Sequence, residues 1–211
     1  MAVYDLEEQE NIESLKAWWK DNGRLVIAAV IAFVLGIGGI QGWRHYKNEQ
    51  SMKSAVLFYD LEEAMRTGDK GKVEELAKRL TTDFPGTSHA ARGALLAARV
   101  AAEAGDRDKA AASLQWVAGN ARDESLKALG NLRLSAVLLD QGRLDGALKA
   151  VATPPGEAFA ALFADARGDV LVAQGKIEEA KAAYQIALDK LPKSAAYRNV
   201  VEIKRDALGI K

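Results

Sequence analysis

The sequence predicts an all-α protein: one membrane-length helix near the N-terminus, then a solenoid of antiparallel helix pairs. Three observations carry this. No charged residue occurs between Arg24 and Arg44. Glycines recur at positions 68, 105, 142 and 175, each between two amphipathic stretches. Only four prolines occur, while Ala and Leu, strong helix formers, dominate the composition.

The uncharged run is the first element. Residues 25–43 are apolar or glycine, with Gln41 the sole polar side chain among them. At about 1.5 Å per residue such a run makes a helix of roughly 28 Å, the thickness of one bilayer core. A secretory signal would open on a short basic stretch and close on a small-residue cleavage site. Here the preceding segment is long and holds Asp5, Glu7, Glu8, Glu10, Glu13 and Asp21 against Lys16, Lys20 and Arg24. Gly42-Trp43-Arg44-His45-Tyr46 offers no cleavage site. The expected organisation is therefore a tail, residues 1–24, an uncleaved transmembrane helix, 25–43, and a water-soluble domain, 44–211.

The flanks suit two interfaces. Trp18 and Trp19 precede the span, and Trp43 and Tyr46 close it, as aromatic belts do. Basic residues are nearly balanced across it, so the positive-inside rule leaves the orientation open. Within the span, Ala28, Ala32, Gly36 and Gly39 share one helical face. Small faces let membrane helices approach closely, which makes these four the candidates for contact with another membrane helix. Gly36-Ile37-Gly38-Gly39-Ile40-Gln41 is not a dinucleotide loop, since it ends in Gln41 and follows no strand.

Composition narrows the function. The chain has 29 basic and 29 acidic residues, of which three and six precede residue 44; the soluble part thus carries a net charge of +3. This is too balanced for a nucleic-acid surface or a polybasic lipid patch. With no cysteine, disulfides, thiolate zinc sites and a cysteine nucleophile are excluded. The absence of cysteine also fits an oxidising compartment.

The repeats follow. The clearest copy spans residues 161–194, with Gly168, Gly175, Ala180, Tyr184, Ala187 and Pro192. It resembles a tetratricopeptide repeat at nearly every signature position except the early aromatic, here Ala164. Gly168 and Ala180 let two helices approach, and Gly175 supports the turn in a left-handed conformation. Tyr184 and Ala187 are expected to fill the seam to the next helix, and Pro192 to stop the second helix. Ser135, Gly142, Ala147 and Val151 form another copy, as do Ala98, Gly105, Ala110 and Leu114. A divergent first copy has Leu61, Gly68, Val73, Ala77, Leu80 and Pro85. Small insertions are expected near Asn120-Ala121-Arg122-Asp123 and Thr153-Pro154-Pro155-Gly156. Residues 194–208 read as a final capping helix, because a solenoid end needs a polar outer face.

No catalytic constellation is legible. His45 lies at the membrane boundary and His89 at a helix start; both read as exposed polar residues without acidic partners at ligand spacing. No phosphate loop, metal motif or nucleophile elbow occurs, so no cofactor is expected. Helical repeats instead offer curved surfaces that bind peptides or proteins. In the tetratricopeptide resemblance the concave positions fall on the first helix of each pair. The apolar ones are Phe58, Leu95, Leu129, Leu132, Leu139, Leu162 and Val172, the candidate groove for unfolded chain or a partner helix. Glu62, Met65, Arg92, Arg99, Ala136, Asp165 and Asp169 complete that face. The same periodicity also marks core leucines.

The head of the chain adds a second signature. Glu7-Glu8-Gln9-Glu10, Ile12-Glu13, Leu15-Lys16, Trp18-Trp19-Lys20 and Asn22-Gly23, followed by the span ending Gly42-Trp43-Arg44, resemble the YfgM family. The resemblance runs the whole chain in order. It implies a bacterial inner-membrane protein with a cytoplasmic N-terminus, one span and a periplasmic tetratricopeptide-like domain. It further implies an ancillary subunit of the SecYEG translocon working with the periplasmic chaperone PpiD on nascent or unfolded secreted proteins. The family has no catalytic residues to carry over. The expected function is a non-enzymatic adaptor or chaperone at the translocon. The alternative is a purely structural scaffold that joins membrane complexes without binding clients.

Overall fold

The computed structural model describes residues 3–209, and the side chains of residue 8 and of residues 10–209. Positions 1–2 and 210–211 of the expected tail and domain, and the side chains of Glu7 and Gln9 in the head motif, lie outside the described residues. The chain divides into two compact units, with the boundary between Glu49 and Gln50. All regular structure among the described residues is helical.

In the first unit, α1 (Val3–Thr67) carries the apolar run. That helix is long and apolar enough to cross a membrane, and none of its apolar window is buried. A core helix of a soluble domain would bury such a stretch, so the exposure favours a lipid-facing role. The aromatic flanks pair locally: Trp18 with Trp19 at 6.5 Å between ring centres, Trp43 with Tyr46 at 6.0 Å.

The second unit is built from helix pairs. The end of α1 pairs with α2 (Lys70–Asp83), α3 (Ser88–Glu103) with α4 (Arg107–Asn120), and α5 (Glu124–Asp140) with α6 (Leu144–Ala150). The last pair is α7 (Ala160–Ala173) and α8 (Ile177–Lys190), with α9 (Tyr197–Ala207) as cap. One turn recurs four times. Gly68, Gly105, Gly142 and Gly175 are the positive-φ residues among those described, at +74°, +79°, +70° and +74°. After each glycine the next N–H reaches back to the preceding helix, as Lys176 N to Leu171 O at 2.9 Å. This is the left-handed helix ending that glycine adopts without a Cβ penalty. In the first two turns the following Asp69 and Asp106 also cap the next helix, accepting from Lys72 N and Lys109 N at 3.0 Å. Arg143 and Lys176 hold those positions in the last two turns and supply no side-chain cap.

Packing follows the small-residue code. Leu61 and Ala64 pack with Val73, Leu76, Ala77, Leu80 and Ala90 in the first cluster. The central cluster joins Ala94, Leu95 and Ala98 to Leu114, Val117, Leu134 and Leu138. Ala110, Ala147 and Ala180 are fully buried, as a close helix approach requires. Tyr184 joins Val201 of α9 in the last cluster, the seam expected of it. Its ring also lies over Gly168 of its own pair, where a Cβ would collide with it. His89 differs from expectation. It is half-buried, with Nδ1 2.9 Å from Ser54 Oγ and its ring 5.5 Å from that of Phe58. Both neighbours lie on α1 and were invisible to a reading along α3 alone.

The third pair is irregular. α2, α4 and α8 each run 14 residues, whereas α6 runs 7. After Val151 the chain turns through Pro154 and Pro155 into a 3₁₀ turn, Glu157–Phe159, that leads into α7. Proline disfavours a helical residue before it and cannot donate within a helix, so the insertion expected here cuts the second helix short.

Candidate partner-binding surfaces

The first helices of the pairs place the candidate groove residues in successive clusters rather than in one pocket. Phe58 is half-buried against the first cluster. Leu129 and Leu139 are half-buried against the central one. Leu132 leans on Ala128, Val151 and Phe163, and Val172 on the Tyr184 cluster. Leu162 is the most open, at 38% exposure. Leu95 is different: it is 6% exposed and belongs to the core itself. Its spacing matched both core and groove, and the helices close over it.

At the C-terminal end this face is polar. Asp165 is 4% exposed and Lys204 Nζ reaches both its oxygens at 3.0 Å. The same ammonium meets Asp169 Oδ2 at 2.8 Å. Tyr197 donates to Asp165 Oδ2 at 2.6 Å and Tyr184 to Asp169 Oδ1 at 2.7 Å. Burial alone would lower the Lys204 ammonium, but its hydrogen bonds to Asp169 and Asp165 hold it above its ordinary value. Burial, with the bond to Asp165, pushes the Tyr197 phenol up to about 12. These groups join α9 to α7 and use up Asp165 and Asp169, which the sequence offered as groove residues. The pairings of Lys204, Tyr197 and Tyr184 with these carboxylates were hidden from the sequence.

In the first unit Ala28, Ala32, Gly36 and Gly39 are all exposed. A Cβ added at Gly36, Gly38, Gly39 or Gly42 would meet nothing within 4 Å. The small face is therefore open to a neighbouring membrane helix. Among the described residues no group of three His, Asp or Glu side chains is arranged to hold a metal ion.

Comparison with known proteins adds the family. Residues 16–210 match the family model described as a tetratricopeptide repeat-like domain. A Neisseria gonorrhoeae protein named ancillary SecYEG translocon subunit is 32% identical over 209 residues, 99% of this chain and 100% of its own. Proteins of the same name from Haemophilus influenzae and Escherichia coli are 33% and 31% identical. They cover 88% and 100% of this chain, and 90% and 100% of their own lengths. Head, apolar run and repeats thus align as one unit, and the chain belongs to the YfgM family of tetratricopeptide repeat-like proteins.

Proposed function

We propose that the chain is a non-enzymatic adaptor at the SecYEG translocon, anchored in the bacterial inner membrane by residues 25–43. The observation that carries this is the match to relatives bearing that name through both the span and the repeats. In this reading residues 1–24 are cytoplasmic and residues 44–211 periplasmic. The small face of Ala28, Ala32, Gly36 and Gly39 seats a translocon helix. The domain works with the periplasmic chaperone PpiD, and its half-buried Phe58, Leu129, Leu132, Leu139 and Val172, with the exposed Leu162, hold apolar segments of emerging proteins. Leu95 supports that surface from beneath. Each contact is small: about 100 Å² of apolar burial yields roughly 2.5 kcal/mol before association costs. Client binding is accordingly weak and survives moderate salt, since no strong charge field lines the apolar positions.

The burial of Leu95 favours a second reading, a scaffold that joins membrane complexes without holding clients. Purification of the full chain in mild detergent tests the shared part: SecYEG co-isolates in both readings, and its absence removes both. Suppression of aggregation of an unfolded secreted protein then separates them. A folded Leu132→Asp chain that protects less than wild type supports client binding. Wild type that never protects leaves the scaffold.

A further inference from the structure

The shortened α6 leaves a gap in the solenoid. Its missing half amounts to seven residues against α4 or α8, a helical length of about 10 Å. In an array of antiparallel pairs that half would lie beside the start of α7 and the end of α8. An open cleft of about 430 Å³ occupies this place. α7 forms its floor through Phe163, Ala164 and Leu171, and α8 one wall through Ala182 and Ile186. Val151 fills only the innermost position, buried against Ala128 and Phe163. The outer layer stays bare, and Ile186 is 52% exposed.

The rim carries charge. Arg167 lines this cleft and the adjoining one, where Lys149 joins it. Both are without an ion-pair partner among the described residues. Lys190 is paired with Glu157 at the far end, which leaves Glu179 the one unpaired carboxylate of the lining. Asp145 lines the adjoining cleft beside Lys149, so the free charges around the gap balance, and within the cleft itself Arg167 is the one cation without an ion pair among the described residues.

We propose that this cleft is the docking site of a short amphipathic helix from a partner protein, which completes the third repeat in the place of the missing half of α6. The occupant presents small apolar residues to Phe163, Ala164, Ala182 and Ile186, and a carboxylate to Arg167. Helix-in-groove recognition lays an apolar helix face into such a groove, and α4 and α8 run the full 14 residues in the equivalent place of their own pairs. None of Phe58, Leu129, Leu132, Leu139, Leu162 and Val172 lines the cleft. The site is therefore distinct from the proposed client surface, although Leu132 packs against the cluster that holds its Val151 and Phe163.

The test uses the full chain in lipid nanodiscs and a labelled 14-residue helical peptide. The peptide carries a Leu/Ala stripe and a Glu on one flank of that stripe. Its binding is read by fluorescence anisotropy against empty nanodiscs. Ile186→Asp and Arg167→Glu, both at exposed positions, should each weaken binding by roughly tenfold or more. A peptide with Lys in place of that Glu should bind Arg167→Glu better than wild type. Leu162→Asp, at an exposed position outside the lining, should change nothing. No binding to wild type, equal binding to Ile186→Asp, or equal loss in Leu162→Asp would each overturn the proposal. So would self-association of the chain that Ile186→Asp abolishes, which would assign the cleft to a second copy.

Discussion

Ser135 donates its hydroxyl hydrogen to the Ala147 carbonyl oxygen across 3.0 Å, inside the core and 2% exposed. In an uninterrupted helix that carbonyl would accept from Val151 N. α6 ends at Ala150, and Val151 N turns to Leu148 O instead. The corresponding positions of the other copies are Leu61, Ala98 and Gly168, none with a side-chain donor. The hydroxyl therefore appears in the one repeat whose second helix stops early and frees a carbonyl. Ser135→Ala should leave that oxygen unsatisfied and cost about 1–3 kcal/mol. A thermal melt of the repeat unit in the solubilised full chain checks this; an unchanged midpoint would mean that water or another donor replaces the hydroxyl.

The turn preceding α8 lacks the cap found in the first two turns. Lys176 has φ −87° and ψ 66°, close to the −82° and 77° of Asp106. Lys176→Asp should therefore accept from the third residue on, as Asp106 does from Lys109 N. The expected gain is about 0.5–2 kcal/mol, reduced by the nearby Glu178 and Glu179. Denaturant midpoints of the two chains at equal slope decide it, and a loss of stability would show that the local repulsion wins.

Lys204 neutralises two carboxylates of which Asp165 is buried. Lys204→Met should cost about 2–3 kcal/mol, because it strands that charge rather than because the pair is strongly attractive. Adding Asp165→Asn should recover part of the loss. Hydrogen exchange on α9 reads the effect locally: faster exchange in the single variant and slower in the double is expected. Equal exchange in both would mean that α9 is held by Val201 and its apolar neighbours alone.

Burial, and then the nearby Arg92 charge, pull the His89 imidazole below its ordinary value, against a smaller opposing pull from Glu62. The folded state therefore binds its proton less readily than the unfolded chain does. Its contribution to stability is fully present above about pH 6.5 and is lost as pH falls through the lowered folded value. Melting midpoints of wild type should drop between pH 7.5 and pH 5.5 by more than those of His89→Gln. Parallel profiles for the two chains would remove His89 as the source.

How far the sequence could be read depended on the range of the interaction. The left-handed glycines, the close alanines and the proline stop are local needs of backbone geometry, and they were legible at Gly68, Gly105, Gly142 and Gly175. The apolar span was legible because a bilayer sets its length. Tyr184 over Gly168, His89 against Ser54 and Lys204 between Asp165 and Asp169 were not legible, since each pairs side chains from different helices. Leu95 was ambiguous for a related reason: one periodicity serves core and groove, and only the helix crossings decide. Thr153-Pro154-Pro155-Gly156 announced an interruption but not that it halves α6.

The association of the membrane helix with the translocon is tested most directly by photo-crosslinking in intact inner membranes. Leu35 borders the face of Ala28, Ala32, Gly36 and Gly39 at 100° per residue, whereas Val34 lies on the opposite side. A benzoylphenylalanine in place of Leu35 should yield an adduct with a SecYEG subunit, and one in place of Val34 should not. Failure of every position from 25 to 43 to reach a SecYEG subunit would contradict the account.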